Sequence, residues 1–271
     1  MHFDLIQALS LAGKPSVPND DRLGCADTHA WVIDGATDLG APGLLGARGG
    51  AAWLASAAQR AFSQFSGPLP QLCEQVFHSL EQAYQHAKQR EPVAAWELPR
   101  ASFAAVALEG EQLVCGFMSD CVVLQRSAAG VAFLTPAPDR ATEMAEAAAL
   151  GPGAGAGILR SPEVLADRRA ARERPKAVLS VDAAQATAGT RYMRAAVAPG
   201  DELILMSDGF AALFDTYQVY SPDAFFAAVL AEGLGPLAQQ LRAIEVEDAA
   251  CVRYPRFKAS DDASALWLRV A

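Results

Sequence analysis

The chain has 271 residues, 52% of them hydrophobic, and a formal net charge of −9. This length and composition suffice to bury the core of one large domain, spanning 1–271. An acidic balance argues against nucleic-acid binding, because proteins hold phosphate backbones with clustered Lys and Arg, whereas it suits a protein that holds divalent cations. The five cysteines include no CxxC pair, so we predict neither a disulfide framework nor a zinc ribbon.

The apolar stretches are too short for a membrane span. Nowhere do eighteen apolar residues follow one another without a charge, so we predict no transmembrane helix. The first five residues carry no basic segment, and we expect no signal peptide. Together these features predict a cytoplasmic protein without membrane partners.

The first third of the chain predicts two strands followed by two helices. Apolar runs at 3–11 and 24–33 are typical of strands, with a loop of turn-forming residues between them. Helical patterns follow at 44–65 and 69–90. In the second of these, Leu72, Val76, Leu80 and Tyr84 recur every four residues, which predicts one buried helix face.

The middle of the chain predicts a β region. Short runs at 102–108, 112–118, 122–126 and 131–134 are separated by turn formers, which indicates a meander of hairpins. The segment 136–176 differs, because it combines an Ala-rich helical piece, a glycine run at 151–157 and basic residues at 168–174. We interpret it as a mobile insertion. The glycines lack the Lys-Ser/Thr of a phosphate loop, and the arginines are interpreted as a solvated helix face.

The last third predicts strands at 178–181, 195–197 and 203–206, helices at 222–230 and 236–244, and a final strand at 263–270. Strands, then helices, then further strands are typical of an α+β fold. We expect a layered sandwich with antiparallel sheets inside it, because a parallel sheet would alternate strands and helices regularly.

Acidic residues recur at the ends of predicted strands. Residues 203–210 read LILMSDGF, so an apolar run ends at Asp208 and Gly209, and residues 32–35 repeat the device with Asp34 and Gly35. One such end is typical of an ordinary turn. The repetition instead predicts acids that converge at one rim of the sandwich. The acids at the other strand ends are Asp20, Asp21, Asp120, Asp261 and Asp262.

Carboxylates crowded at one rim would repel one another, and a divalent cation is the natural compensation. Oxygen donors without His or Cys select the hard ions Mg²⁺ and Mn²⁺. A shared acid would allow two ions, a pair that lowers the pKa of water and clamps a phosphoryl oxygen. The chemistry indicated is phosphate-ester hydrolysis without a covalent enzyme intermediate.

This series of motifs resembles the metal-dependent serine/threonine protein phosphatases of the PP2C (PPM) family. That family has Asn-Glu-Asp, Asp-Gly, Gly-Asp-Ser, Asp-Gly and Asp-Asn/Asp-x-Thr/Ser in this order. The corresponding segments here are 19–21, 34–35, 118–121, 208–209 and 261–264. No single motif is specific, but five in the same order along the whole chain are.

The resemblance implies a four-layer α-β-β-α sandwich with two central antiparallel sheets. It also implies a mobile flap at 139–176 and a binuclear Mn²⁺ or Mg²⁺ centre. The activity implied is hydrolysis of phosphoserine and phosphothreonine in proteins by a hydroxide bound to the two ions. The expected partner is a phosphoprotein, in opposition to a serine/threonine kinase, and a monomer is expected.

Residue roles also follow from the resemblance. Asp34 would bridge the ions, and the Gly35 carbonyl would ligate one of them. The remaining ligands of the pair would be Asp21, Asp208 and Asp261. The expected catalytic residues are Asp34, Asp21 and Asp208.

Two further acids have secondary roles in this scheme. Asp20 would act through a metal-bound water, and Asp120 would ligate a third, weaker ion.

The chain departs from the family pattern around the substrate. Ser16 stands where the family has a phosphate-binding Arg, and Ala36 where some relatives have a His that acts as a general acid. Lys14 or an arginine of the flap is a candidate substitute. These departures motivate an alternative function, a catalytically weak or inactive regulatory binding module. A phosphatase of small metabolites is a third possibility.

Overall fold

Two antiparallel sheets form the centre of the protein. The structure, a computed structural model, describes residues 1–46, 49–153, 155–156, 161–174 and 176–271. Within these ranges, one five-stranded sheet has the order β1-β10-β9-β6-β7 and the other the order β2-β3-β4-β5-β8. The strands are β1 Phe3–Leu11, β2 Arg22–Cys25, β3 His29–Gly35, β4 Ala101–Glu109, β5 Gln112–Met118, β6 Val122–Ser127, β7 Gly130–Phe133, β8 Arg191–Ala196, β9 Glu202–Met206 and β10 Ala263–Val270.

The helices of the described residues lie outside the two sheets. They are α1 Gly50–Gln64, α2 Leu69–Ala87, α3 Ala141–Ala149, α4 Pro162–Glu173, α5 Ala183–Gly189, α6 Asp208–Ala211, α7 Pro222–Glu232 and α8 Leu234–Glu247, with a 3₁₀ turn at Ala95–Glu97. The helices α1 and α2 pack on the sheet that contains β3, and α7 and α8 pack on the sheet that contains β9. The predicted four-layer α-β-β-α sandwich is confirmed.

The strand β9 shows why the central strands are continuously apolar. Leu203 and Leu205 point into the core between the sheets, whereas Ile204 and Met206 point toward the helices. All four side chains are fully buried. Successive side chains of a strand alternate between its faces, so a strand covered on both faces needs apolar residues at every position.

Two helices begin at a Ser-Pro pair. Ser161 and Ser221 cap α4 and α7, each hydroxyl accepting a hydrogen bond from the backbone N–H three residues later at 3.3 Å. The proline that follows each serine fits the first helical position, where no N–H donor is needed.

Several predicted elements are wrong in position. The strand predicted at 24–33 is a hairpin of β2 and β3. The predicted meander is also interrupted, because β5 pairs with β4 and β8, whereas β6 pairs with β7 and β9 of the other sheet. The chain therefore crosses between the sheets at 119–121. The strand predicted at 178–181 is reduced to one bridge between Ala101 and Leu179.

The helix predicted at 44–65 begins only at Gly50. The Asp38 carboxylate accepts hydrogen bonds from the backbone N–H groups of Gly50, at 2.6 Å, and Ala51, at 3.2 Å. These bonds satisfy donors that have no partner within the first turn of a helix. The cap lies twelve residues before the helix, so a local pattern does not reveal it.

The predicted flap at 139–176 contains the helices α3 and α4. Its predicted glycine run falls partly outside the described residues, which omit 154 and 157–160. The flap boundaries, its mobility and the single domain at 1–271 stay predictions. Within the described part of the chain, no helix has both the length and the apolar character needed to cross a bilayer.

Gly209, in α6, lies against the backbone of Asp262, and this close approach explains the glycine, since its φ angle is outside the left-handed region. A Cβ atom at this position would overlap the carbonyl oxygen of Asp262. We expect Gly209→Ala to lower the free energy of unfolding by about 2 kcal/mol or more, measured by chemical denaturation in chelator. Gly235→Ala is the control, since Gly235 lies in the first turn of α8 with open space around it, and should be neutral or slightly stabilising. Equal stability of Gly209→Ala and the wild type would contradict the close approach.

Candidate metal centre

Three of the predicted acids meet at one rim of the sandwich. Asp34 is near the end of β3, Asp120 lies in the crossing between β5 and β6, and Asp208 follows β9. Each offers a carboxylate oxygen, and the three oxygens lie within 4.8 Å of one another. Acids from both sheets therefore converge, as the pattern of strand ends predicts.

Backbone pairing sets the positions of Asp34 and Asp120. Asp34 is opposite Ser102 in the β3–β4 ladder, and the Ser102 hydroxyl donates a hydrogen bond to Asp120 Oδ1. The crossing that carries Asp120 turns at Ser119, which has a φ of 66°. A positive φ is uncommon for a residue other than glycine and is typical of a constrained turn.

Asp208 is held by the strands around it. The Ser207 N–H donates to the Ser264 carbonyl at 3.0 Å, and the Ser264 N–H donates to the Ser207 hydroxyl at 3.0 Å. These bonds extend the pairing of β9 and β10 to the residue before Asp208. Asp208 is then the first residue of the short helix α6.

Asp21 is the most deeply buried of the predicted ligands, with 1% of its surface exposed. Neither carboxylate oxygen has a hydrogen-bond partner among the described residues. Burial, together with the nearby Asp261, raises the pKa of Asp21 to about 8, and the nearby Ser207 hydroxyl opposes the shift although its distance and angles to the carboxylate are not those of a hydrogen bond. A buried carboxylate without a partner is costly, so this residue fits a cation ligand.

The segment before Asp21 is tied to the other end of the chain. Asp262 accepts hydrogen bonds from the backbone N–H groups of Gly13, at 2.7 Å, and Asp20, at 2.6 Å. Burial and the nearby Asp262 raise the pKa of Asp20 to about 7. Gly35 lies against this segment, and a Cβ atom there would come within 2.8 Å of the Asp20 carbonyl oxygen. The sequence pattern includes Asp262 among the acids of the rim but assigns it no role, and the structure shows that it positions the backbone of Gly13 and Asp20.

Basic side chains also enter the acidic rim, which the sequence did not predict. Arg140 forms an ion pair with Asp208 and lies 2.9 Å from a Glu143 carboxylate oxygen and 3.8 Å from one of Asp215. Although burial raises the pKa of Asp208, Arg140 limits the rise, and the resulting value is about 6. Arg140 therefore supplies part of the charge compensation at Asp208.

Lysines pair with two other predicted ligands. Lys258 Nζ lies 2.6 Å from Asp261 Oδ1, and Lys176 Nζ lies 3.6 Å from Asp120 Oδ2. Despite desolvation, these ammonium groups hold the pKa values of Asp261 and Asp120 below the ordinary range. Asp261 is therefore ionised, and its charge acts on the rest of the site.

At Asp34, in contrast to Asp120 and Asp261, the effects that raise the pKa outweigh those that lower it. Burial and the charges of Asp208 and Asp21 raise its pKa well above the ordinary value. No ion pair involves Asp34 within the described part of the chain. The ligand atoms that the predicted acids offer at this rim are carboxylate oxygens, and these acids outnumber the basic side chains that pair with them. The site therefore fits hard divalent cations.

A cavity of about 610 Å³ opens over the rim. Asp34, Asp120 and Asp208 line it, together with Arg100 and Arg172. Its size is within the range of pockets that hold small ligands. The acids are therefore accessible from a space large enough for part of a substrate.

Comparison with known proteins identifies the family. The family model described as protein phosphatase 2C matches residues 14–244. The chain belongs to the protein phosphatase 2C family. The motif resemblance is therefore confirmed, and protein serine/threonine phosphatases are the enzymes of this family. None of the curated proteins matches the chain significantly in sequence.

Solved structures support the same fold at low sequence identity. The Mycobacterium tuberculosis serine/threonine phosphatase PstP is 12% identical, with a TM-score of 0.59, and the match covers 100% of this chain and 99% of that one. A PstP catalytic domain in complex with two manganese ions is 14% identical, with a TM-score of 0.57 and the same coverage. The Mycobacterium smegmatis phosphatase MsPP, in complex with cacodylate, is 16% identical, with a TM-score of 0.55 and 98% and 99% coverage.

Asp21 yields a prediction for the metal-free protein. In the unfolded chain its pKa is close to 4, whereas the folded value is raised, so ionisation of Asp21 costs folding free energy as the pH rises from about 4 to 8. We expect Asp21→Asn to raise the free energy of unfolding in chelator by about 1–3 kcal/mol at pH 8, and by less at pH 5. The same variant should lose most of the stabilisation that Mn²⁺ gives the wild type.

Asp201→Asn is the matched control for this experiment. Asp201 is also buried, but its carboxylate accepts hydrogen bonds from the Gln125 side chain, at 3.0 Å, and the Ala198 N–H, at 3.2 Å. This variant should be destabilised and keep its response to Mn²⁺. If Asp21→Asn had a lower free energy of unfolding than the wild type in chelator, Asp21 would not be an uncompensated charge.

Proposed function

We propose that this chain is a metal-dependent phosphatase that hydrolyses phosphoserine and phosphothreonine in proteins. The observation that carries the proposal is the group of Asp34, Asp120 and Asp208 oxygens within 4.8 Å of one another. Close to them is Asp21, whose buried carboxylate has no hydrogen-bond partner among the described residues. Family membership supports the reaction class, and the neighbour that contains two manganese ions supports a binuclear Mn²⁺ or Mg²⁺ centre.

The residues would hold the centre as follows. Asp34 would be shared between two ions, with the Gly35 carbonyl on one of them, and Asp21, Asp208 and Asp261 would complete the set. When bound, the ions would lower the pKa of a water molecule and polarise the phosphoryl group.

The secondary acids complete the proposed site. Asp20 lies next to Asp21 and is oriented by Asp262, which suits contact through a water molecule. Asp120 is partly exposed and already paired with Lys176, which suits a weaker third site.

The remaining side chains determine what the site does with substrate. Ion pairs with Arg140 and Lys258 keep Asp208 and Asp261 directed at the rim. The carboxylates of Asp34 and Asp21, whose pKa values are raised, can release protons when a cation binds. The position of Ala36 offers no general acid, so the leaving group would take its proton from water. We further propose a phosphoprotein substrate, a kinase of opposite action, a monomer and a cytoplasmic location.

A catalytically weak regulatory module is the second candidate. Ser16 is exposed in the loop before Asp20 and offers no guanidinium to a phosphate. The ion pairs of Arg140 and Lys258 also lower the demand for metal at two of the ligands. Both observations favour a protein that binds a partner without rapid turnover.

The test is hydrolysis of an aryl phosphate and of phosphothreonine peptides with added Mn²⁺. Because loss of groups that merely orient metal ligands costs about 10–100-fold, loss of a ligand should reduce turnover by at least about 100-fold. We expect this loss in Asp34→Asn and Asp208→Asn, and in the wild type with chelator. Asp223→Asn, on the exposed surface of α7, is the control and should retain full activity.

Unchanged turnover in both ligand variants would exclude the assigned site. Mn²⁺ binding by the wild type without turnover on any substrate would instead favour the regulatory module. The two outcomes are separated by measuring metal binding and activity on the same preparation.

A further inference from the structure

Two arginines line the cavity where the flap helix α4 meets the start of β4. Arg172 is in α4, and Arg100 precedes β4. The Arg100 Nη1 donates a hydrogen bond to the Arg172 carbonyl oxygen at 2.7 Å, so the two residues are neighbours. Both line the cavity that contains Asp34, Asp120 and Asp208.

Neither guanidinium of this pair has a carboxylate partner in the described ranges. Arg172 donates to the carbonyl oxygens of Ala36, at 3.0 Å, Thr37, at 2.6 Å, and Trp96, at 3.2 Å. Arg100 donates to the carbonyls of Arg172 and Ala95. Partly buried cations are usually paired with anions, so this arrangement leaves two positive charges uncompensated.

The pKa values of both arginines are lowered in this arrangement. Burial and the nearby Arg100 lower the pKa of Arg172 to about 10, and burial lowers that of Arg100. The acids that act on the pair from a distance are Glu173 and Asp38, and neither forms an ion pair with it. An anion between the two guanidinium groups would relieve their repulsion.

Two other cations that line the cavity already face carboxylates. Arg140 faces three carboxylates, and Lys258 Nζ is 2.6 Å from Asp261. In the loop after β1, Lys14 and Ser16 are exposed. A guanidinium has five N–H donors, and the bonds to carbonyl oxygens leave donors on both arginines unused.

The location of the pair connects it to the proposed reaction. The carbonyls that Arg172 holds belong to the two residues directly after Asp34 and Gly35. An anion bound by the pair would therefore lie beside the predicted metal centre, inside the same cavity. Planar guanidinium groups bind phosphate and carboxylate oxygens in the same two-point geometry.

We propose that Arg100 and Arg172 form an anion-binding subsite that holds a phosphate or carboxylate of the substrate beside the metal centre. The proposal rests on the proposed function, since it concerns the substrate of the same site. In this proposal Arg100 and Arg172 bind the substrate anion in a chain that has Ser16 where the family has a phosphate-binding Arg.

The test measures the binding of fluorescent peptides by anisotropy in the presence of Mn²⁺, and turnover is not needed. Each peptide carries a non-hydrolysable phosphonate in place of phosphothreonine, and one has acidic neighbours while the other has neutral ones. Arg100→Gln should weaken binding by about tenfold or more, the loss expected for a charge-assisted hydrogen bond. Arg60→Gln, with the same charge change on the exposed surface of α1, should bind like the wild type.

The pattern across the two peptides identifies the bound group. Weakening for both peptides would assign the pair to the phosphate, and weakening for the acidic peptide alone would assign it to a neighbouring carboxylate. Arg172→Lys keeps the charge but loses the two-point geometry, so it should weaken binding less than Arg172→Gln. Melting temperatures of all variants separate a binding defect from loss of the loop that Arg172 holds.

Two results would overturn the proposal. One is binding of both peptides by Arg100→Gln as tightly as by Arg60→Gln, and the other is absence of peptide binding by the wild type. Peptide binding that depends on Arg100, in a wild type that hydrolyses no substrate, would keep the subsite and reject the proposed catalytic function.

Discussion

Carboxylates gathered at one rim of the two sheets are the electrostatic constraint on which this structure depends. Asp21 is buried and its carboxylate has no hydrogen-bond partner in the part of the chain that the structure describes. Asp34 has a raised pKa because burial and its acidic neighbours disfavour the charged form. Such an arrangement costs folding free energy in the absence of a cation. It persists because strong packing on either side holds it, in particular the fully buried strand β9 that leads to Asp208.

The rest of the site distributes this charge. Among the predicted metal ligands, Asp208 pairs with Arg140, Asp120 with Lys176 and Asp261 with Lys258, which leaves Asp21 and Asp34 as the least compensated members. Arg100 and Arg172, in the same cavity, have the opposite imbalance, since neither guanidinium has a carboxylate partner among the described residues. A cation at the rim and an anionic substrate group at Arg100 and Arg172 would relieve both excesses of charge, so binding of the two should be mutually supportive.

Much of the fold could be predicted because its determinants are local. The alternation and length of β1, β5 and β10 appear directly in the sequence, and the repeated strand-then-acid device correctly brings Asp34, Asp120 and Asp208 together. What could not be predicted depends on distant contacts. The crossing between sheets at 119–121, the cap of α1 by Asp38 and the ion pair of Arg140 with Asp208 join residues whose proximity exists only in the folded chain.

The most direct test of the central claim is calorimetric titration of the metal-free protein with Mn²⁺ at pH 7, repeated in buffers of different ionisation enthalpy. If uncompensated carboxylates create the site, two ions should bind per chain. Binding should also release protons, because the raised pKa values of Asp20, Asp21 and Asp34 leave these groups partly protonated without metal. Absence of Mn²⁺ binding, or binding without proton release, would contradict the account.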